Sequence, residues 1–161
     1  MGQGMNFLEQ LVAEWYEYEK YFVRSNVRTR MRAKGGFDVE LDVLAYDLSN
    51  NILLHVETSG DADSWTERKR RFLTKKFILT RKEYESIIGC EVNKIRKIAI
   101  VGYARSTKAN LNWGQDIEVV LIPDFMKQIA ERLRLQHPTH EAVPEGFPLL
   151  RAMQTVLAYG T

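Results

Sequence analysis

The sequence of 161 residues has one cysteine, four prolines and no long apolar run. With Cys90 alone, an internal disulfide and a zinc site built from several cysteines are both excluded. No stretch approaches the roughly 18 apolar residues that cross a membrane. The start, MGQGMNFLEQLVAEWYEYEKY, is too acidic and too interrupted to be a signal peptide. We therefore expect one globular domain over residues 1–161, located in the cytoplasm, with no membrane partner.

Helical and strand patterns alternate along the chain. Helices are predicted over 6–21, 64–77, 80–89, 123–136 and 147–160, and strands over 21–30, 37–46, 52–57, 97–103 and within 116–124. The connection over 47–51 is short and polar, so the second and third strands should form an antiparallel hairpin. Strands mixed with helices in one short chain predict an α/β sandwich around one sheet.

Acidic residues interrupt the two apolar strands of this hairpin. Because side chains alternate along a strand, Glu40 and Asp42 should point to one face and Leu41 and Val43 to the other. Glu57 lies on the neighbouring strand. Unpaired buried carboxylates are costly, so such a cluster requires a cation, a basic partner or solvent. Carboxylates that converge at one end of a hairpin suit Mg²⁺ or Mn²⁺ bound with a phosphate; the alternative is the solvated face of an edge hairpin.

Two basic stretches flank the acidic strands in the sequence, although the net charge is only +2. The first, RSNVRTRMRAK, contains Arg28 and Arg30. The second, ERKRRFLTKKF, carries six positive charges, at Arg68, Lys69, Arg70, Arg71, Lys75 and Lys76. Cations around an acidic centre are typical of proteins that hold a phosphate backbone, and such contacts read no base sequence. We therefore predict that these residues contact nucleic acid; the alternative is a solvated helix face.

The order of these features resembles the restriction-endonuclease-like, or PD-(D/E)XK, nuclease superfamily. A helix with an early acid, FLEQLVAEWYEYEKYFV, precedes a Gly-rich turn and acidic strand, GGFDVELDVLAYD, and then the strand LLHVETS. The string HVETSGDADSW also resembles one found in a group of small bacterial proteins. The likeness to the superfamily covers about residues 6–77. It places the helix acid at Glu9, with Glu14 as the alternative, the metal-binding aspartate at Asp42 and the second acid at Glu57.

This resemblance implies a fold and an activity. The fold would be a single-domain α/β/α sandwich around a mixed central sheet. The activity would be hydrolysis of phosphodiester bonds, with Mg²⁺ or Mn²⁺ as cofactor held by Asp42 and Glu57. Glu9 would assist through a second metal ion or the outer shell. DNA is the expected nucleic-acid partner, and a homodimer is left open.

One departure from the superfamily's pattern concerns its lysine, which follows the second acid by two residues. Here that position is Ser59. The lysine's role could have moved to the following helix, to Lys69 or, as less favoured choices, Lys75 or Lys76. Ser59 together with a metal-bound water could instead be sufficient for catalysis without a lysine. Alternatively the chemistry is lost, and the fold binds DNA or a partner protein. We favour migration or weak activity over loss, because both strand positions are acidic.

Two further residues have open roles. His55 precedes Glu57 by two residues and should share its face, as a ligand, a proton shuttle or, most commonly, a buried histidine with satisfied partners. Asp61, in the loop after the third strand, is a candidate for extra metal coordination or nucleic-acid contact.

Overall fold

The computed structural model describes residues 5–60, 63–102, 111–114 and 116–160. Within these ranges the chain forms five strands, five α-helices and one π-helical segment. In chain order they are α1 (Phe7–Tyr18), β1 (Phe22–Met31), β2 (Phe37–Asp47), β3 (Ile52–Ser59), α2 (Trp65–Arg71), the π segment (Phe72–Lys76), α3 (Arg81–Ile88), β4 (Lys94–Val101), β5 (Ile117–Leu121), α4 (Ile122–Arg134) and α5 (Pro148–Tyr159). These bounds lie close to the predicted ones, but the predicted helix 64–77 is divided between α2 and the π segment.

The five strands form one mixed sheet in the order β1-β2-β3-β4-β5. The first three strands are antiparallel neighbours, and β3, β4 and β5 are parallel. The predicted hairpin is confirmed, with Asp47 paired to Ile52 next to the turn. The connection from β3 to the parallel strand β4 contains α2, the π segment and α3. The α/β class and the mixed sheet are therefore as predicted.

Helices cover both faces of the sheet. On one face, Trp15 of α1, Ile129 of α4 and Leu150 of α5 pack in one cluster with Val56 of β3 and Ile100 of β4. On the other face, side chains from α3 and the π segment pack against a different set of strand residues. The alternation of strand side chains between the two clusters gives a helix layer, a sheet and a second helix layer.

The hairpin ladder between β2 and β3 stops before the strands end. Its last pair is Val43 with Val56; beyond it β2 continues beside β1, and β3 continues beside β4. The expected alternation also breaks at this point, because Val43 packs in one face's cluster and Leu41 in the other. The prediction that Leu41 and Val43 share a face is therefore wrong. The break coincides with the end of the β2–β3 ladder and with a gap in the β1–β2 pairing at Asn26 and Asp42. There the backbone N–H of Asp42 donates to the Glu57 carboxylate (3.2 Å).

Glu14 of α1 has a structural position at the start of α5. Its Oε2 accepts hydrogen bonds from the backbone N–H groups of Leu149 (2.9 Å) and Leu150 (3.0 Å). The residue before α5, Phe147, provides no side-chain cap. Glu14 therefore satisfies amides that a helix N-terminus leaves free, and its negative charge lies at the positive end of the helix dipole.

We predict that Glu14→Ala lowers the free energy of unfolding by about 1–3 kcal/mol, because two amides of α5 lose their acceptor. The measurement is denaturant unfolding of the variant and the wild type. The matched control is Glu17→Ala, an exposed position on the same helix, which should change stability by no more than about 0.5 kcal/mol. Equal losses in the two variants would contradict the capping role.

Candidate active site

Asp42 and Glu57 lie side by side where β2 and β3 separate, and both are buried. Asp42 Oδ2 accepts hydrogen bonds from the backbone N–H (2.8 Å) and the hydroxyl (3.1 Å) of Thr58. Glu57 Oε1 accepts the backbone N–H of Asp42 at 3.2 Å. The two carboxylates thus accept hydrogen bonds from backbone amides at the point where the β2–β3 ladder ends. Buried amides require such acceptors.

The second oxygen of each carboxylate faces Lys76. The Lys76 ammonium lies 2.9 Å from Glu57 Oε2 and 3.4 Å from Asp42 Oδ1. The contact with Glu57 lacks the direction of a good hydrogen bond and is an ion pair. No amide, hydroxyl or imidazole in the described part of the chain donates to either oxygen. Asp42, Glu57 and Lys76, which we call the triad, therefore meet through these two oxygens and one ammonium.

The π segment brings Lys76 to this position. The backbone N–H of Phe77 donates to the carbonyl of Phe72 (2.9 Å), which closes a turn one residue longer than an α-helical turn. Lys76 therefore takes the direction that residue 75 would have in an uninterrupted helix. Within the described ranges, the favoured choice, Lys69, forms no ion pair or hydrogen bond with either acid. The less favoured choice, Lys76, is the one in contact.

Burial and mutual charge set the protonation of the triad. Burial, together with the negative charge of Glu57, raises the pKa of Asp42 to about 7, against the influence of Lys76. Burial also acts to raise the pKa of Glu57, but the hydrogen bond from His55 and the charge of Lys76 lower it overall. Burial acts to lower the pKa of Lys76, and the two carboxylates raise it. At neutral pH Glu57 is ionised, Lys76 is protonated and Asp42 is close to half-titrated.

His55 shares the face of Glu57, as its spacing predicted. Its Nε2 lies 2.7 Å from Glu57 Oε1, and its Nδ1 lies 2.6 Å from the hydroxyl of Tyr84 on α3. Both residues are buried. His55 is therefore a buried histidine with satisfied partners, and one of those partners is in the triad. No feature of the sequence connects Tyr84 with this site, because the contact depends on how α3 packs against the sheet.

Glu9 lies near the triad without contacting it. Its carboxylate accepts hydrogen bonds from the backbone and the side chain of Asn6 and completes a capping box at the start of α1. Burial raises the pKa of Glu9, and the charges of Lys76 and Glu57 also act on it. Within the described residues, Glu9 forms no hydrogen bond or ion pair with a member of the triad. Asp61 lies outside the described residues.

Ser59, which the resemblance aligns with the superfamily's lysine, contacts an arginine. Its hydroxyl accepts a hydrogen bond from Arg71 Nη2 at 2.9 Å. Arg71 Nη1 also pairs with Asp63 at 2.6 Å. The structure thus brings Ser59 together with Arg71, and Lys76 contacts the two acids from a different element.

All five arginines expected to contact nucleic acid have partners within the protein. Arg28 pairs with Glu40 (3.3 Å), Arg30 with Glu83 (2.8 Å), Arg70 with Glu67, and Arg71 with Asp63 and Ser59, while Arg68 donates to the Asp63 carbonyl (3.3 Å). Arg68 is buried, which does not favour the predicted contact of its guanidinium with nucleic acid. Exposed ion pairs contribute little to folding stability, so their arginines can exchange a carboxylate for a phosphate. Lys69 is half-buried and Lys75 is exposed, and both lack an ion pair within the ranges described.

The two carboxylate oxygens that face Lys76 suit a hard cation that takes its remaining ligands from water or phosphate. Asp42 Oδ1 and Glu57 Oε2 are the kind of oxygen ligands that Mg²⁺ and Mn²⁺ prefer. Among the described residues, no group of three or more His, Cys, Asp or Glu side chains could hold a metal ion. An ion at this site would therefore need water or phosphate oxygens as further ligands, which is usual for Mg²⁺.

No protein-family model matches the chain, and no curated protein matches it. The superfamily therefore remains a resemblance. None of the helices in the described ranges is both long enough and apolar enough to span a bilayer.

We predict that Asp42 makes the fold less stable as pH rises. Its pKa is about 7 in the folded chain, against an ordinary value of 3.8 for an aspartate. Between these values the folded state binds more protons at this carboxyl than the unfolded state, so stability falls as pH increases. Asp42→Asn removes this contribution. In denaturant unfolding without divalent ions, the stability of the wild type relative to Asp42→Asn should fall by at most about 4 kcal/mol between about pH 4 and about pH 7.

The control for this prediction is Asp47→Asn. The hydrogen bond from Asn50 lowers the pKa of Asp47, so the wild type should gain stability relative to this variant as pH rises through the acid range. A difference between wild type and Asp42→Asn that is constant, or that rises with pH, would contradict the assignment at Asp42.

Proposed function

We propose that this chain is a metal-dependent nuclease of restriction-endonuclease-like fold that hydrolyses phosphodiester bonds in nucleic acid, with DNA as the expected substrate. The observation that carries the proposal is the contact of Lys76 with Asp42 and Glu57. Two strand acids and a lysine are the set that the resemblance leads us to expect. The lysine comes from the π segment and not from position 59, which agrees with the migration hypothesis.

The roles in this proposal follow from charge and hydrogen bonding. Asp42 and Glu57 would hold Mg²⁺ or Mn²⁺ through the two oxygens that now face Lys76. When bound, such an ion polarises a phosphoryl oxygen and lowers the pKa of a bound water. The two carboxylates raise the pKa of Lys76, so its ammonium is protonated in the metal-free site. In this protonated state Lys76 would act as a donor that orients a water or a phosphate oxygen.

Substrate binding in this proposal depends on the cations near the triad. Lys69 and Lys75 would contact phosphates directly. Arg28, Arg30 and Arg70 would do so by exchanging their exposed carboxylate partners for phosphate. Contacts of this kind fix the position of the backbone and give no preference for a base sequence.

A second candidate function is binding of nucleic acid or a partner protein without hydrolysis. The observation that favours it is the same contact of Lys76 with Asp42 and Glu57, because this contact already neutralises negative charge at the site. Lys76 already balances the carboxylate charge, and Asp42, with a pKa of about 7, can remove its own charge by taking up a proton. The site is therefore electrostatically satisfied without a divalent ion.

A cleavage assay separates the two candidates. Supercoiled plasmid, single-stranded DNA and RNA are incubated with the protein in Mg²⁺, Mn²⁺ or a chelator. We expect divalent-dependent cleavage by the wild type and a loss of at least about 100-fold in Asp42→Asn, Glu57→Gln and Lys76→Met, which each remove one charge of the triad. The matched controls, Lys69→Met and Lys75→Met, alter binding at most.

Cleavage that persists in both Asp42→Asn and Glu57→Gln would contradict the site. Nucleic-acid binding by a wild type that cleaves none of the three substrates would favour the second candidate. All variants are first compared with the wild type by thermal unfolding, so that a loss of fold is not read as a loss of chemistry.

A further inference from the structure

His55 uses both ring nitrogens in a wholly buried position. Nε2 lies 2.7 Å from Glu57 Oε1, and Nδ1 lies 2.6 Å from the Tyr84 hydroxyl. The rings of Phe77 and Tyr84 pack edge-on against the imidazole, with centroids at 4.9 Å and 5.5 Å. The ring is therefore fixed in place by two hydrogen bonds and two aromatic contacts.

The donors and acceptors in the series Glu57, His55 and Tyr84 can be assigned. An ionised Glu57 can only accept, so Nε2 of His55 carries the proton and donates to Oε1. Burial raises the pKa of Tyr84 and keeps its hydroxyl protonated. Nδ1 lies within hydrogen-bond distance of that hydroxyl, so Tyr84 holds the other end of the ring while Nε2 donates to Glu57.

The consequence for Glu57 is geometric. Its Oε1 receives two donors, Nε2 of His55 and the backbone N–H of Asp42. With that oxygen fixed, Oε2 is directed at Lys76. We propose that His55 and Tyr84 are positioning residues that orient the Glu57 carboxylate towards Lys76 and towards an incoming cation. The catalytic meaning of this inference rests on the proposed function, but the orientation itself does not.

The test uses a matched pair of substitutions at one position. In His55→Gln the amide NH₂ can donate to Glu57 and the amide oxygen can accept from Tyr84. In His55→Leu the side chain has a similar size but neither a hydrogen-bond donor nor an acceptor. A purely structural role predicts similar behaviour of the two variants when both are folded, whereas positioning predicts rescue by Gln.

The first readout needs no metal. Acetic anhydride is applied briefly to the folded proteins, and acetylation of Lys76 is followed by mass spectrometry, with Lys75 as the internal reference. We expect Lys76 to react several-fold faster in His55→Leu than in the wild type, and at nearly the wild-type rate in His55→Gln. If the Leu variant does not fold, Tyr84→Phe replaces it and should also accelerate the reaction. Equal rates in folded variants and wild type would overturn the inference.

The second readout is Mn²⁺ affinity by titration calorimetry in the presence of a short DNA duplex. Loss of a hydrogen bond that orients a ligand typically weakens metal binding about 10- to 100-fold. We expect a loss of that size in His55→Leu and recovery in His55→Gln. If the wild type binds no Mn²⁺ but the acetylation rates differ as expected, the proposed function fails and the positioning role stands. Mn²⁺ binding that is equal in all three proteins overturns the positioning role and leaves the proposed function intact.

Discussion

The opening of the hairpin ladder at Asp42 and Glu57 is the constraint on which the rest of the site depends. Two backbone amides lose their strand partners there, and buried amides need acceptors. The two carboxylates supply them. This brings two negative charges close together in a buried position, which is costly without a cation. The Lys76 ammonium provides that cation, and the π segment provides the direction from which it arrives.

Each carboxylate therefore serves the fold with one oxygen and the candidate chemistry with the other. This division explains why the acids lie inside otherwise apolar strands. It also makes the resting site nearly neutral, because Glu57 is balanced by Lys76 and Asp42 has a pKa of about 7. A divalent ion would have to weaken the contact of Lys76 with both oxygens, and a phosphate would offer the displaced ammonium a new partner.

Local signals made much of the fold predictable. Asn6 begins α1 with a capping box, Gly89 ends α3 in the left-handed conformation, and the polar turn over 47–51 connects two strands with clear apolar character. The hairpin also predicted that the carboxylates of Asp42 and Glu57 lie close together on neighbouring strands. The choice of Lys76 over Lys69 was not predictable, because a π turn depends on how the helix packs against the sheet. The burial of Arg68 and the reach of Tyr84 to His55 depend on tertiary packing in the same way.

The most direct test of the central claim is Mn²⁺ titration calorimetry on the wild type and Asp42→Ala, each with and without a short DNA duplex. A titration of the duplex alone corrects for Mn²⁺ bound by DNA. The account predicts that the wild type binds Mn²⁺ more tightly when the duplex is present, since its phosphates complete the ligand set and offer Lys76 a partner, and that Asp42→Ala does not bind. Equal binding by both proteins, or no binding by the wild type under either condition, would contradict it.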